Sequence, residues 1–448
     1  MTNGPFLKKL FVFALPLMFM GLLQLLYNTA DTVIIGRFAG KEALAAVGAT
    51  GSLVNLILNI FIGLSTGSGV VQGRHIGAGD EEKMSKCTHT AMLLGLICGF
   101  IVGCIGFFFS GKMLVLMKAP SDVIGLSTLY LKIYFLGAPG SLVYNYGASL
   151  LRAMGDTKRP LYVLLFSGLV NIVLNIILVV PFRMGVSGVA IATIVSQYIS
   201  AAFIVRFLVS LDNPCRLYIN KLAIYKRELL DIIRIGLPAG IQGALFSISN
   251  VIIQSNVNSF GSSAMAGIAA GSNYDGYIYV CTNAFTQATM NFSSQNIGAR
   301  KYYNVSEIFR RCLIIAAAIG LVLSFAGFFF SEQIVWLFSK DPEVMKIGAA
   351  RLAQVMPFYV FCSLQDLVAG QVRGMGKSVE PMIISVFGTC VLRILWILTA
   401  MPVSHTLVTL YWAYPISWAA TFFMMVALYF YAKKKMLQSA AAKASTAA

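Results

Sequence analysis

The chain has 448 residues, of which 58% are apolar and 11% are charged. Soluble domains carry about a quarter of charged residues, so a soluble fold is excluded. The formal net charge of +17 raises nucleic acid as a partner, but of the 34 Lys and Arg, 24 fall in or beside alternate connecting segments and 7 in the intervening ones. That asymmetry is the positive-inside rule of a membrane protein, so no nucleic-acid partner is expected.

In chain order, apolar spans are expected at 10–35, 44–72, 88–111, 123–147, 160–181 and 185–209, then at 229–258, 264–294, 307–331, 343–371, 380–402 and 407–432. At 1.5 Å per residue each is long enough for a hydrocarbon core of roughly 30 Å. Both termini are then cytoplasmic, in a multi-pass protein of the inner (plasma) membrane whose lasting partner is the bilayer. Lys8 and Lys9 precede the first span with no small-residue cleavage signature, so that span is expected to be retained. The eight Cys include no CxxC pair and read as small buried residues without disulfides. The tail Ala440–Ala448 is low in complexity and expected to be disordered.

One offset, 221 residues, superimposes the chain on itself. Ile76-Gly77-Ala78 recurs as Ile297-Gly298-Ala299, Gly106 to Ser110 as Gly327 to Ser331, and Arg152-Ala153-Met154-Gly155 as Arg373-Gly374-Met375-Gly376. Gly40 and Ala45 match Gly261 and Ala266, Pro160 matches Pro381, and Leu15-Pro16 matches Leu237-Pro238 one residue out of register. The fold expected is therefore an all-α integral membrane protein of 12 transmembrane helices in two six-helix lobes, related by a pseudo-twofold axis along the membrane normal. The domains are an N-terminal lobe (1–204), a cytoplasmic linker (205–232) that is either a joint or a solvated basic loop, a C-terminal lobe (233–432) and a tail (433–448). The repeated Arg-x-Met-Gly and Ile-Gly-Ala segments read as helix caps rather than substrate contacts.

Polar chemistry inside the spans narrows to few residues. Asp31, Asp275 and Asp366 are the intramembrane acids, and an Asp near a span centre opposes insertion by about 2.5 to 3.5 kcal/mol. Such a group is by default part of an ion, proton or substrate path. Asp31 lies five residues before Gly36, roughly 8 Å deep. Asn171, Asn175 and Thr193 fall at a similar depth in the same half, and Asn171 and Asn175, four apart, share a helix face. Together these four are candidates to hold Na⁺, or to surround a protonatable Asp31. Gln24 and Tyr27 on span one, and Asp275 with Tyr274 and Tyr277 on span eight, are candidate substrate contacts, the latter a carboxylate among aromatic faces that suit a cation. Asp275 could instead pair with Arg393, and Asp366, also a candidate substrate contact, is either a gate or a structural partner of the same arginine. No nucleophile, base or metal-ligand cluster and no phosphate loop is present, so neither an enzyme nor an ATP-driven pump is expected, and no cofactor beyond a coupling ion.

Asn28-Thr29-Ala30-Asp31, Val33-Ile34-Ile35-Gly36-Arg37, Gly40, Arg152 to Gly155 with Asp156-Thr157, Asn171 to Asn175 and Gln295 to Ala299, in this order within twelve repeated spans, resemble the multidrug and toxic compound extrusion (MATE) antiporters. The resemblance covers about 6–432. It implies efflux of cationic amphipathic compounds driven by inward Na⁺ or H⁺, with Asp31, Asn171, Asn175 and Thr193 at the cation-site positions of the first lobe. Many members carry Asp where this chain has Asn175. The NorM-like branch has a Glu on span seven that 239–258 lacks, which places the chain closer to the DinF-like grouping. A flippase for a lipid-linked precursor is the alternative, and a monomer is the expected state.

Overall fold

A computed structural model describes residues 1–117 and 123–445. The described residues are helical throughout, in two compact units: Phe19–Gly240, here the first unit, and Met1–Met18 with Ile241–Ala448, the second. The chain passes between units within α1 (Phe6–Phe38) and within α8 (Lys226–Asn258), in each case just after an internal proline, Pro16 or Pro238.

The first unit contains the rest of α1, then α2 (Lys41–Ala78), α3 (Glu81–Leu116), α4 (Ile124–Leu136), α5 (Ala138–Met154), α6 (Lys158–Val179), α7 (Gly185–Val209) and the start of α8. The second holds α9 (Ser262–Gly298), α10 (Tyr302–Phe329), α11 (Ser331–Trp336), α12 (Pro342–Val355), α13 (Tyr359–Gly374), α14 (Val379–Ser385), α15 (Leu392–Val403) and α16 (Leu407–Ser445). Taking α12 with α13 and α14 with α15, ten helices among the described residues are long and apolar enough to cross a membrane. The α4–α5 pair and the Gly- and Ser-rich α9 bring the number to the twelve expected from the sequence. Large apolar side chains such as Phe108, Leu116 and Val403 stand exposed on the outside, as a lipid solvent requires.

The duplication persists in the backbone. Gly40 and Gly261 precede α2 and α9 with φ of 88° and 90°. Gly155 and Gly376, at φ 95° and 85°, end α5 and follow α13 in left-handed caps. In each cap the glycine N–H donates to an arginine carbonyl, Arg152 or Arg373, and the next N–H reaches one residue further back, to Leu151 or Val372. This is the Schellman pattern, which satisfies the orphan carbonyls of a helix end. The caps read from sequence are thus real, with one shift: after Ile76-Gly77-Ala78 the left-handed residue is Gly79, and its repeat mate is Arg300, at φ 58°.

Other glycines set close approaches. Gly63 and Gly67 of α2 face Gly236 and Gly240 of α8, and a Cβ at Gly63 would lie 2.2 Å from the backbone nitrogen of Gly240. Small residues spaced by four let helix backbones touch where hydrophobic contrast with lipid is absent. A Cβ at Gly137 would lie 2.1 Å from Gln197 Oε1, and with Pro139 next but one this is where span four breaks into α4 and α5 instead of running unbroken through 123–147.

Two other sequence expectations are corrected. The segment after α7 is solvated only in part: Leu211, Cys215 and Leu217 are buried, Tyr218 N donates to His89 Nε2 at 3.0 Å, and Tyr225 N donates to Thr90 Oγ1 at 3.1 Å. The segment is pinned to the start of α3. Helix α16 continues to Ser445, well into the tail expected to be disordered; 446–448 lie outside the described residues.

Candidate functional site

In the first unit α1, α6 and α7 bring the expected polar residues together. Asn175, fully buried, donates from Nδ2 to Asp31 Oδ1 at 2.5 Å and to Asn171 Oδ1 at 3.2 Å. The second bond follows from the four-residue spacing along α6. Asn175 Oδ1 is buried with no hydrogen-bond partner, an acceptor oxygen that ordinarily finds a donor or cation. No Lys, Arg or His lies within 4 Å of Asp31 among the described residues.

Asp31, Asn171, Thr193, Gln24 and Tyr27 line one cavity of about 290 Å³, at the lower edge of the usual ligand-pocket range. Thr193 hydroxyl donates to Val189 O at 2.9 Å, leaving its lone pairs toward further partners. Tyr27 lies over Gly168, where a Cβ would come within 2.0 Å of the ring, and its hydroxyl donates to Leu165 O at 3.3 Å. Sequence reasoning missed much of the remaining lining, including Ser141 and Asn145 on α5 and Ser196 and Ser200 on α7. Each pair is spaced by four, so the shared face was available as a signal.

The second unit arranges its acids differently. Arg351 of α12 grips Asp275 of α9 with two parallel bonds, Nη1 to Oδ1 at 3.3 Å and Nη2 to Oδ2 at 2.5 Å. Tyr359 hydroxyl donates to the Asp275 carbonyl at 2.9 Å. The pairing of Asp275 with Arg393 left open above is not formed. Arg351, only 1% exposed, is the partner, contributed by a helix 76 residues away. Asp366 has no ion pair within 4 Å among the described residues and does not pair with Arg393; Arg373, two turns along the same helix, is the cation that acts on it. Tyr274 donates to Leu323 O at 2.8 Å and Tyr277 is partly exposed.

Arg393 donates from Nε to Ser417 Oγ at 2.9 Å and lies over Tyr414 and Trp418, with ring centroids at 4.7 and 5.7 Å. A π-helical turn, Val386–Val391, aims it. Pro381, Ser385, Thr389, Arg393, Ile397 and Met401 are all buried and repeat every four residues. In a helix of 3.6 residues per turn such a series drifts about 40° per step. The wider turn takes up an extra residue and keeps Arg393 on the inner face.

With this geometry in view, comparison with known proteins decides the family. A family model described as MatE matches twice, at 16–177 and 238–399, once in each repeat. The chain belongs to the MatE family. Its similarity to other members runs nearly end to end: it is 30% identical over 394 residues to "Probable multidrug resistance protein YpnP" of Bacillus subtilis, covering 88% of each chain. It is 28% identical to "Probable multidrug resistance protein YoeA" of the same organism, covering 85% of this chain and 84% of that one. A solved structure described as "Crystal structure of MATE in the bent conformation" shares the fold at a TM-score of 0.89 over 98% of both chains, with 22% identity. The MatE chain is therefore a multi-pass membrane transporter and not an enzyme.

Proposed function

We propose that this MatE transporter exports cationic amphipathic drugs or toxic metabolites by alternating access, coupled to inward flow of H⁺ or Na⁺. The multidrug names carried by YpnP and YoeA support the substrate class. A flippase for a lipid-linked precursor finds no support among these names. The observation that carries the coupling is the contrast between two half-buried intramembrane acids: Asp275 has Arg351, whereas Asp31 faces neutral amides. Removing a carboxylate from water is costly unless it is paired. The counter-charge of Asp31 is then an exchangeable cation, and exchange is what coupling requires.

Asp31, Asn171, Asn175 and Thr193 provide the oxygens for it. With Asp31 ionised, one Asn175 N–H holds the carboxylate and the other Asn171, and the unpartnered Asn175 Oδ1 is free to face a Na⁺ ion. With Asp31 protonated, the same amide oxygen can accept the carboxylic proton. Gln24 and Tyr27 contact substrate at the cavity wall, while Asp366 and the exposed edge of Tyr277 do so in the second unit. The protein works as a monomer in the plasma membrane with both termini cytoplasmic. The membrane potential then contributes about 2.3 kcal/mol per charge per 100 mV.

Uphill uptake of a fluorescent cation into everted vesicles, which corresponds to export from the cell, tests the assignment. Asp31→Asn is expected to abolish accumulation against a gradient while membrane insertion and thermal stability hold. Undiminished uphill transport by that variant would remove Asp31 from the coupling role.

A further inference from the structure

Two guanidinium groups in the second unit converge on one aromatic ring: Arg351 lies 5.8 Å and Arg393 4.7 Å from the centroid of Tyr414. One of them has its carboxylate and the other does not. Asp275 holds Arg351 through both oxygens. No carboxylate lies within 4 Å of Arg393 among the described residues. Its recorded hydrogen bond uses Nε alone, toward Ser417. The Nη edge, which grips a carboxylate or phosphate in bidentate fashion, has no such partner.

Arg393 is 5% exposed and lies ten residues before Val403 at the end of α15, about 15 Å into the span. A guanidinium does not give up its proton there. The ring faces of Tyr414 and Trp418 and one hydroxyl solvate the charge without neutralising it. An ordinary helix would not hold this charge inward: the π turn at Val386–Val391 directly precedes it, and such turns concentrate at functional sites. Nor is the cluster sealed, since the Asp275 side chain keeps 18% exposure next to the pair.

We propose that Arg393 is an anion-binding residue: it receives a carboxylate or phosphate group carried into the second unit, with Asp275 occupying the equivalent place on Arg351. The transported compound is then amphoteric, presenting a cationic centre and an anionic group, or the anion is a lipid headgroup. This deepens the export reading and rests on it.

A matched dye pair separates the possibilities: rhodamine B, which carries a free carboxylate, and its ethyl ester, which differs only in lacking that charge. Both are titrated by fluorescence anisotropy against the full-length protein in phosphatidylcholine nanodiscs. Arg393→Gln is expected to weaken rhodamine B about tenfold, the scale of one charge-assisted hydrogen bond, and to leave the ester within about twofold. Arg393→Lys, which keeps the charge and loses the fork, is expected to fall between, and it carries the test if the Gln variant unfolds. Adding phosphatidylglycerol distinguishes the source of the anion: a headgroup occupant suppresses rhodamine B binding to the wild type, whereas a substrate carboxylate is insensitive to it. Equal losses for both dyes, or a carboxylate preference that survives in both Arg393 variants, overturns the anion site alone. A wild type that binds neither dye overturns the export reading with it.

Discussion

Asp31 and Asp275 are the same residue type in the same solvent, and their neighbours give them different work. Asp275 is half of a bidentate pair whose arginine is fully enclosed, so Arg351→Met leaves a half-buried carboxylate uncompensated. Breaking such a pair costs about 3–5 kcal/mol, whereas replacing both partners with apolar or neutral groups costs far less. Thermal unfolding in detergent is expected to show a large drop for Arg351→Met, and recovery of most of it when Asp275→Asn is added. In the first unit, burial pushes the Cys215 thiol up from its ordinary 9.0 to about 11, offset in part by the Gln72 amide that donates to its sulfur at 3.0 Å. Between those two pH values the folded protein keeps a proton that the unfolded chain has lost, so stability falls as pH rises through that window. Maleimide labelling of Cys215 at pH 8 is expected to be slow in the folded protein and fast after denaturation, because only the accessible thiolate reacts.

At the scale of elements, the repeated caps offer a direct check. Gly79 and Arg300 are repeat mates in left-handed backbone, and the bonds around them match: Gly79 N to Ile76 O and Asp80 N to His75 O in one copy, Arg300 N to Ile297 O and Lys301 N to Asn296 O in the other. A residue with a Cβ pays roughly 1–2 kcal/mol for that conformation. Arg300→Gly is therefore expected to raise thermal stability by about 1 kcal/mol, less the extra freedom glycine gives the unfolded chain. These caps were legible because glycine and proline act locally and the offset of 221 lines them up. So was the pair Asn171 and Asn175, whose spacing alone sets their contact. The ion pair of Asp275 was not legible: sequence spacing cannot choose between Arg351 and Arg393, which lie on different helices and share the Tyr414 ring. The π turn hid behind a four-residue repeat that a regular helix would have rotated off its face. The break at Gly137 was missed because the side chain packed against that glycine, Gln197, comes 60 residues later.

For the whole molecule, the repeat built two helical units from one plan and the chemistry then diverged. At the offset of 221, Ile252 stands opposite Asp31, Leu392 opposite Asn171 and Trp396 opposite Asn175. The first unit keeps an acid with neutral partners, and the second keeps acids among arginines. Such a division suits a transporter that exchanges a small cation at one place and holds a larger compound with another. The twelve spans, the duplication and the family were all readable from apolar run lengths, loop charge and motif order. Which ion moves was not, because a carboxylate with two amides and a hydroxyl accommodates either a proton or Na⁺.

Transport in proteoliposomes with the Na⁺ and pH gradients imposed one at a time tests the central claim most directly. Wild-type protein is expected to move a fluorescent cation against its gradient under one of the two, and Asp31→Asn under neither. Equal uphill transport by the wild type and Asp31→Asn under the same gradient would contradict the account.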